Sequence, residues 1–338
     1  MKQIKFYSFL VLLATSLCFN FMVSDHATAS ITPEPPWQST TLSAPSPPVK
    51  IWNSTVAYYN HQLIYAGNDN KIYAFNIAAE TSELVCDLSN DDSFTFGPAG
   101  FLVSSDAYLY FHDNGKTTNI YRIQLAGSWP AAYSAFDTQC NGSIYAFTQN
   151  PWTNGIWFAS AEFEFEGSMY LYEVAPDFNS VSSKPAITKQ HNGGSGPIIF
   201  LNAGTLLYGE SVYLGDGYFH LMDADTGTVS VADYLSFTSG LASAAYGYNH
   251  AIYVSTGNGK AVFQISGNTK NQVAITTDSA QGIVFDGASL YVSEMDDSGK
   301  VYFTSLWTRE APPQIMPGDA NENGKLDIGD VIILLQTL

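Results

Sequence analysis

Positive charge is scarce in this chain. Only 13 Lys and Arg stand against 31 Asp and Glu in 338 residues, a formal net charge of −18 at pH 7. Phosphate backbones are held by basic surfaces, so the balance argues against a nucleic-acid partner and against anionic lipid surfaces. Charge of either sign is thin as well, 13% of residues where about a quarter is usual. Cysteine is rare. Past Cys18, near the N-terminus, only Cys86 and Cys140 remain, and their spacing supports neither a metal site nor a redox motif. Whether they pair as a disulfide or sit apart as two buried thiols stays open at this point. After residue 29 no apolar run approaches the roughly 18 residues of a membrane span. No Gly-x-Ser-x-Gly elbow occurs either, so a serine nucleophile has nothing to support it.

What the chain has is aromatics and a leader. Tyr and Phe number 21 each, a composition suited to strands more than helices. Residues 1–29 open with Lys2 and Lys5, continue through an apolar core and end at Ala27-Thr28-Ala29. That order of basic, apolar and small residues predicts a secretory signal, hence an exported protein: extracellular, cell-surface or periplasmic. Residues 30–50 carry six prolines without periodicity and read as a Pro-rich linker. A second linker spans 311–318.

Between them, 51–310 repeats itself. An apolar–aromatic pair recurs as Ile64-Tyr65, Leu109-Tyr110, Ile156-Trp157, Leu207-Tyr208, Ile252-Tyr253 and Leu290-Tyr291. Each pair is followed by a turn and a second aromatic strand, such as IYAFNI (72–77) or IYRIQL (120–125). Six units of about 43 residues in a strand-rich chain predict an all-β fold, a six-bladed β-propeller. A seven-bladed ring or an irregular β-sandwich is the alternative. Apolar side chains at both odd and even positions suit strands covered on both faces by neighbouring blades. Turn dipeptides such as Asn60-His61, Asn154-Gly155 and Asp286-Gly287 precede the paired strands. The sixth unit lacks a fourth strand, and VKIWNS (49–54) is expected to supply it by closing the ring.

Chemistry-bearing residues are few in the repeats. His61 and His250 echo one another in equivalent turns, while His220 falls inside a strand and His112 ends one. His191, in KQHNGGSGP (189–197), lies where the chain leads into a new blade and could reach a ligand face. Asp278, beside Ser279, occupies a similar place in another unit. Glu162, Glu164 and Glu166 alternate on one strand face, as a second calcium site, a glycosidic carboxylate set or a solvated edge would require.

The C-terminal stretch DANENGKLDIGD (319–330) follows a twelve-residue calcium loop. Asp319, Asn321, Asn323, Asp327 and Asp330 supply side-chain oxygens, and Lys325 holds the position that offers only its backbone carbonyl. Gly324 stands at the sharp turn. With the apolar run 331–335 after it, 319–338 resembles one calcium-binding repeat of a dockerin. That resemblance implies bound Ca2+ and a docking role toward a cohesin-like or other surface protein. The family pairs two such repeats where one is present here, so calcium is the more direct implication. The stretches 215–231 and 68–85 resemble blades of quinoprotein-type propellers, although Val229 or Val231 stands where a Trp is expected. Together these features predict an exported, non-catalytic binding protein whose propeller presents a carbohydrate- or protein-binding platform. The alternative is a propeller enzyme (lyase, lactonase or glycoside hydrolase) acting on an extracellular carbohydrate-type substrate.

Overall fold

Each recurring aromatic pair lies on the second strand of a four-stranded antiparallel unit, and six such units follow one another. The computed structural model describes residues 38–307, except 51–55, 93, 116, 163–166, 185, 192, 213–214, 248–250 and 258–259. Strand β1 (Gln38–Thr41) comes first and stands apart from its neighbours in sequence. Blade one follows as β2 (Val56–Tyr59), β3 (Gln62–Ala66), β4 (Lys71–Asn76) and β5 (Thr81–Asp87). Blade two is β6 (Pro98–Val103), β7 (Tyr108–Asp113), β8 (Asn119–Gln124) and β9 (Tyr133–Asp137). Blade three holds β10 (Ser143–Gln149), β11 (Ile156–Ala161), β12 (Ser168–Val174) and β13 (Val181–Ser183), with the short β14 (Ile187–Thr188) also on β12. Blade four is β15 (Gly193–Asn202), β16 (Thr205–Val212), β17 (Gly217–Asp223) and β18 (Val229–Phe237). Blade five is β19 (Leu241–Tyr246), β20 (Ile252–Thr256), β21 (Ala261–Ser266) and β22 (Thr269–Ile275). Blade six combines β23 (Ser279–Phe285), β24 (Ser289–Met295) and β25 (Val301–Trp307) with β1 as its outermost strand.

The core is six separate clusters, one between each pair of successive blades. Ile64, Ile72 and Ala74 of blade one meet Leu109, Phe111 and Tyr121 of blade two. Leu63, Tyr65 and Phe75, whose side chains point to the other face of blade one, meet Tyr291, Val301 and Phe303 of blade six. This double burial is why apolar residues occupy both parities of each strand, and it closes the ring. Buried apolar area stabilises at about 25 cal/mol per Å², so no blade could retain its packing alone. The Asn60-His61 turn has φ of 48° and 63°, the left-handed pair that a two-residue hairpin requires.

Ring closure differs from the sequence expectation. Gln38, Ser39, Thr40 and Thr41 pair antiparallel with Trp307, Leu306, Ser305 and Thr304. Of VKIWNS, Val49 is buried in the junction between blades one and six and forms only an isolated bridge to Gly67, and residues 51–54 lie outside those described. The closing segment QSTT lies inside the stretch read as linker. Its strand is a largely exposed edge, so burial imposes no alternation that a sequence could display. In the acidic run, β11 ends at Ala161, and Glu162 accepts from the Ser168 amide and the Tyr170 hydroxyl. Glu164 and Glu166 fall outside the described residues.

His112 on β7 is buried and donates from Nδ1 to the Asp113 carbonyl at 2.7 Å. Burial pushes its pKa down to about 4, an effect the hydrogen bond only partly offsets. An unfolded chain regains an ordinary imidazole and binds a proton below about pH 6.5, so this contribution is whole above that value. It is lost progressively as pH falls toward 4, by about 3 kcal/mol in all. Melting followed from pH 7 to 4 should fall steeply in the wild type and less steeply in His112→Gln. Equal slopes would show that another group governs acid stability.

Candidate functional site

The six innermost strands, β2, β6, β10, β15, β19 and β23, surround a cavity of about 340 Å³ on the propeller axis. Tyr58, Phe101, Tyr145, Phe147, Tyr246 and Phe285 line it, with Thr148, Gln149 and Ser243 among the polar groups. Among the described residues its lining includes no carboxylate, imidazole, thiol or amine. Such a wall can stack on and hydrogen-bond a neutral ligand, but it supplies no proton-transfer group. Oxygen-ligated calcium finds no carboxylate cage among those residues either.

Titratable groups converge instead at the edge of blade four, where the chain leads into β15. Glu210, on β16 opposite Tyr218 of β17, is buried. Its carboxylate accepts the backbone N–H of Gln190 at 3.0 Å and of His191 at 2.8 Å, fixing the lead-in loop. The His191 ring stacks on Tyr218 with centroids 4.0 Å apart, and its Nε2 lies 2.6 Å from Asp233 Oδ1. Asp233 sits on β18 where the register against β17 slips between Phe219–Leu235 and Leu221–Val231. Its φ of +51° belongs to that bulge. The kink turns its N–H onto Nδ1 of the buried His220, at 3.0 Å, while its carboxylate reaches His191. Accepting at Nδ1 places the proton of neutral His220 on Nε2, 3.6 Å from Glu210 Oε2 and without a hydrogen bond. The Tyr208 ring lies 4.7 Å from His220, and its buried hydroxyl has no partner. Burial pushes the Lys189 amine down, an effect opposed by Glu210 and Glu162. The arrangement resembles a general-base dyad: Asp233 accepts the hydrogen bond of the His191 Nε2–H, which leaves the lone pair of the neutral ring on Nδ1 as the proton acceptor.

Asp278 is placed elsewhere. It leads into β23 in blade six, and the structure does not bring it to His191. Glu294 accepts the Asp278 N–H at 2.8 Å and lies opposite Tyr302, as Glu210 lies opposite Tyr218. The Asp278 carboxylate accepts from the Tyr302 hydroxyl at 2.7 Å and faces Lys260 Nζ at 3.5 Å. Asp113 repeats the device in blade two, accepting from Phe96 and Gly97 at 3.1 and 2.8 Å. An acid near the end of the second strand thus anchors the lead-in loop of alternate blades. In blade two His112 bonds the backbone carbonyl of that acid; among the described residues, blade four is where an imidazole, His220 Nε2 at 3.6 Å, faces the carboxylate itself. Ser279 donates to the Gly257 carbonyl, with no histidine beside it among the described residues. Cys86 and Cys140 are separate buried thiols, their pKa values raised by burial, Cys86 to about 11. The calcium-loop residues Asp319, Asn321, Asn323, Lys325, Asp327 and Asp330 lie outside the described residues.

No protein-family model and no curated protein sequence matches the chain. Solved structures match its fold. A gluconolactonase from Xanthomonas campestris aligns at TM-score 0.60 and 14% identity, over 83% of this chain and 93% of its own. A PQQ-bound aldose sugar dehydrogenase from Streptomyces coelicolor aligns at 0.57 and 12%, covering 81% and 99%. Regucalcin, a calcium-binding protein from Agrobacterium tumefaciens, aligns at 0.54 and 12%, covering 83% and 98%. The chain is an all-β, six-bladed propeller of the kind these proteins share. The expectation of a non-catalytic binding protein is corrected by these matches, two of which are named enzymes. That expectation rested on finding no convergent acid–base set in sequence. Strand register in blade four supplies one from positions 191, 210, 220 and 233.

Proposed function

We propose that this chain is an exported propeller enzyme that hydrolyses a neutral sugar lactone. The observation that carries the reading is the 2.6 Å contact between His191 Nε2 and Asp233 Oδ1, on a ring held by Tyr218 stacking and a loop held by Glu210. Asp233 fixes the tautomer, and His191 Nδ1 takes a proton from water as its oxygen bonds to the lactone carbonyl carbon. The same proton then passes to the ring oxygen released when the acyl C–O bond breaks. The uncharged, aromatic-lined cavity selects an uncharged polyhydroxylated ring, and β15 runs from the His191 loop to the cavity wall at Gly196. A uronide-directed lyase would need a cation for its substrate's carboxylate, which that wall lacks. A glycoside hydrolase would need two available carboxylates, whereas Glu210 is buried and already accepts two amides. Acid release from a panel of aldonolactones, followed by pH-stat titration, tests the reading. Wild-type turnover that His191→Ala and Asp233→Asn remove is expected; no turnover, or equal turnover in the variants, would sink it.

The leader and tail complete the proposal. The signal at 1–29 exports the enzyme, and the loop 319–330 binds one Ca2+ and attaches it to a cohesin-like or other surface protein. Six matched loop positions support this part. Asp319→Ala should abolish calcium binding by the tail in isothermal titration, with propeller melting shifted by less than about 1 °C, since surface changes rarely exceed 0.5 kcal/mol. Undiminished calcium affinity in that variant would reject the loop assignment.

A further inference from the structure

We infer that His191, His220 and Asp233 form a centre for a divalent transition cation of the zinc class, with Glu210 orienting His220 from behind. The inference rests on reading this cluster as the reaction centre. One donor atom from each of the three residues lies within 4.8 Å of the others. Asp233 Oδ1 is 2.6 Å from His191 Nε2 and 3.5 Å from His220 Nδ1. Donors around a tetrahedral ion of this class lie roughly 3.3 Å apart, so the three need only small movements. The short His191–Asp233 contact opens when the proton that holds it moves to His191 Nδ1. His220 Nδ1 already presents a lone pair on this side, and the cation would take it from the Asp233 N–H at the cost of one backbone hydrogen bond.

Two imidazoles and one carboxylate suit zinc and its neighbours rather than calcium or magnesium, which prefer oxygen. Three protein ligands leave a fourth position open, the pattern of a catalytic rather than a structural site. The environment behind the ligands is the independent observation. His220 is fully buried, and its Nε2 has no hydrogen bond while pointing toward a buried carboxylate 3.6 Å away. A metal-ligating histidine ordinarily donates its second N–H to such a carboxylate. Drawing His220 into a coordination sphere would give Glu210 that role. His191 and Asp233 are 25% and 48% exposed, so the site has an approach from solvent. Such a cation would supply water activation by lowering the pKa of a bound water, in place of proton uptake at His191 Nδ1.

The test is Co2+ titration of the full chain, saturated with Ca2+ to occupy the tail. Visible d–d absorption and equilibrium dialysis are the readouts. One Co2+ per chain with tetrahedral-type bands is expected, competed away by Zn2+. His191→Ala and Asp233→Asn, both at partly exposed positions, should lower affinity at least ~100-fold, and Glu210→Gln about 10–100-fold. No stoichiometric uptake by the wild type, or uptake unchanged in both ligand variants, would overturn the centre. Lactone turnover that requires His191 without any metal uptake would overturn the centre and leave the acid–base reading standing. Uptake lost in the variants, with no turnover by the wild type, would support the centre and overturn that reading.

Discussion

His191→Ala should lower kcat for the responsive lactone by about 10²–10⁴-fold, the range a positioned acid–base group supplies. KM should hardly move, because the ring acts on water and only in the transition state. Loss of such a contact lowers kcat and kcat/KM together. Asp233→Asn should cost as much, about 10²–10⁴-fold, since an amide can hold the His191 ring in the wrong tautomer and its neutral dipole stabilises the developing imidazolium poorly. Both changes should leave melting within about 2 °C of wild type, because the side chains are partly exposed and neither supports a blade junction. That separation matters for interpretation. A parallel fall in kcat and melting temperature would mean the pair only fastens the lead-in loop to blade four, as Glu294 does for Asp278 in blade six. A rise in KM at constant kcat would make His191 a substrate contact and remove it from the chemistry.

The fold was legible where one residue pattern had to serve two neighbours. Tyr65 and Ile64 face opposite junctions, and both are fully buried, which is why aromatic and aliphatic residues alternate without polar gaps. Turn dipeptides were equally legible, because a left-handed φ pair restricts residue choice at Asn60-His61. The site was half legible. His191 stands out because it lies in a glycine-rich lead-in loop, and Asp278 because it leads into another blade, yet only one of them has an imidazole-bearing strand beside it among the described residues. His220 read as a strand residue, which it is. Its role depends on the slip in the β17–β18 register that turns Asp233 inward. Nothing in VSVADYLSF (229–237) announces a bulge, because Asp adopts a positive φ cheaply without a glycine to mark it. Glu210 was invisible for another reason. A lone acid in an apolar strand signals a partner but does not name one, and its partners are amides nineteen and twenty residues earlier.

A chain beginning at Leu42 should melt about 6–12 °C below the full chain, although among the described residues it loses none that belongs to a blade junction's apolar cluster. Four register pairs join β1 to β25, and each net hydrogen bond is worth about 0.5–1.5 kcal/mol, so the loss is on the order of 3 kcal/mol. At this size each kcal/mol moves melting by about 2–4 °C. The effect reaches beyond blade six because β1 and the following segment belong to one run of chain. Leu42 donates to the Phe303 carbonyl, the Pro47 carbonyl accepts the Tyr65 hydroxyl, and Val49 is buried between blades one and six. Removing β1 frees the start of that run and bares the edge of β25, an unpaired ladder able to recruit another chain. Truncation should therefore also bring concentration-dependent association, visible by light scattering below the melting transition. Thr40→Pro gives an independent check, since proline lacks the N–H and resists the β1 ladder without shortening the chain. If both variants melt with the full chain and remain monomeric, closure is carried by the Tyr65–Phe303 junction alone, and β1 is an ornament on a ring already shut by its core.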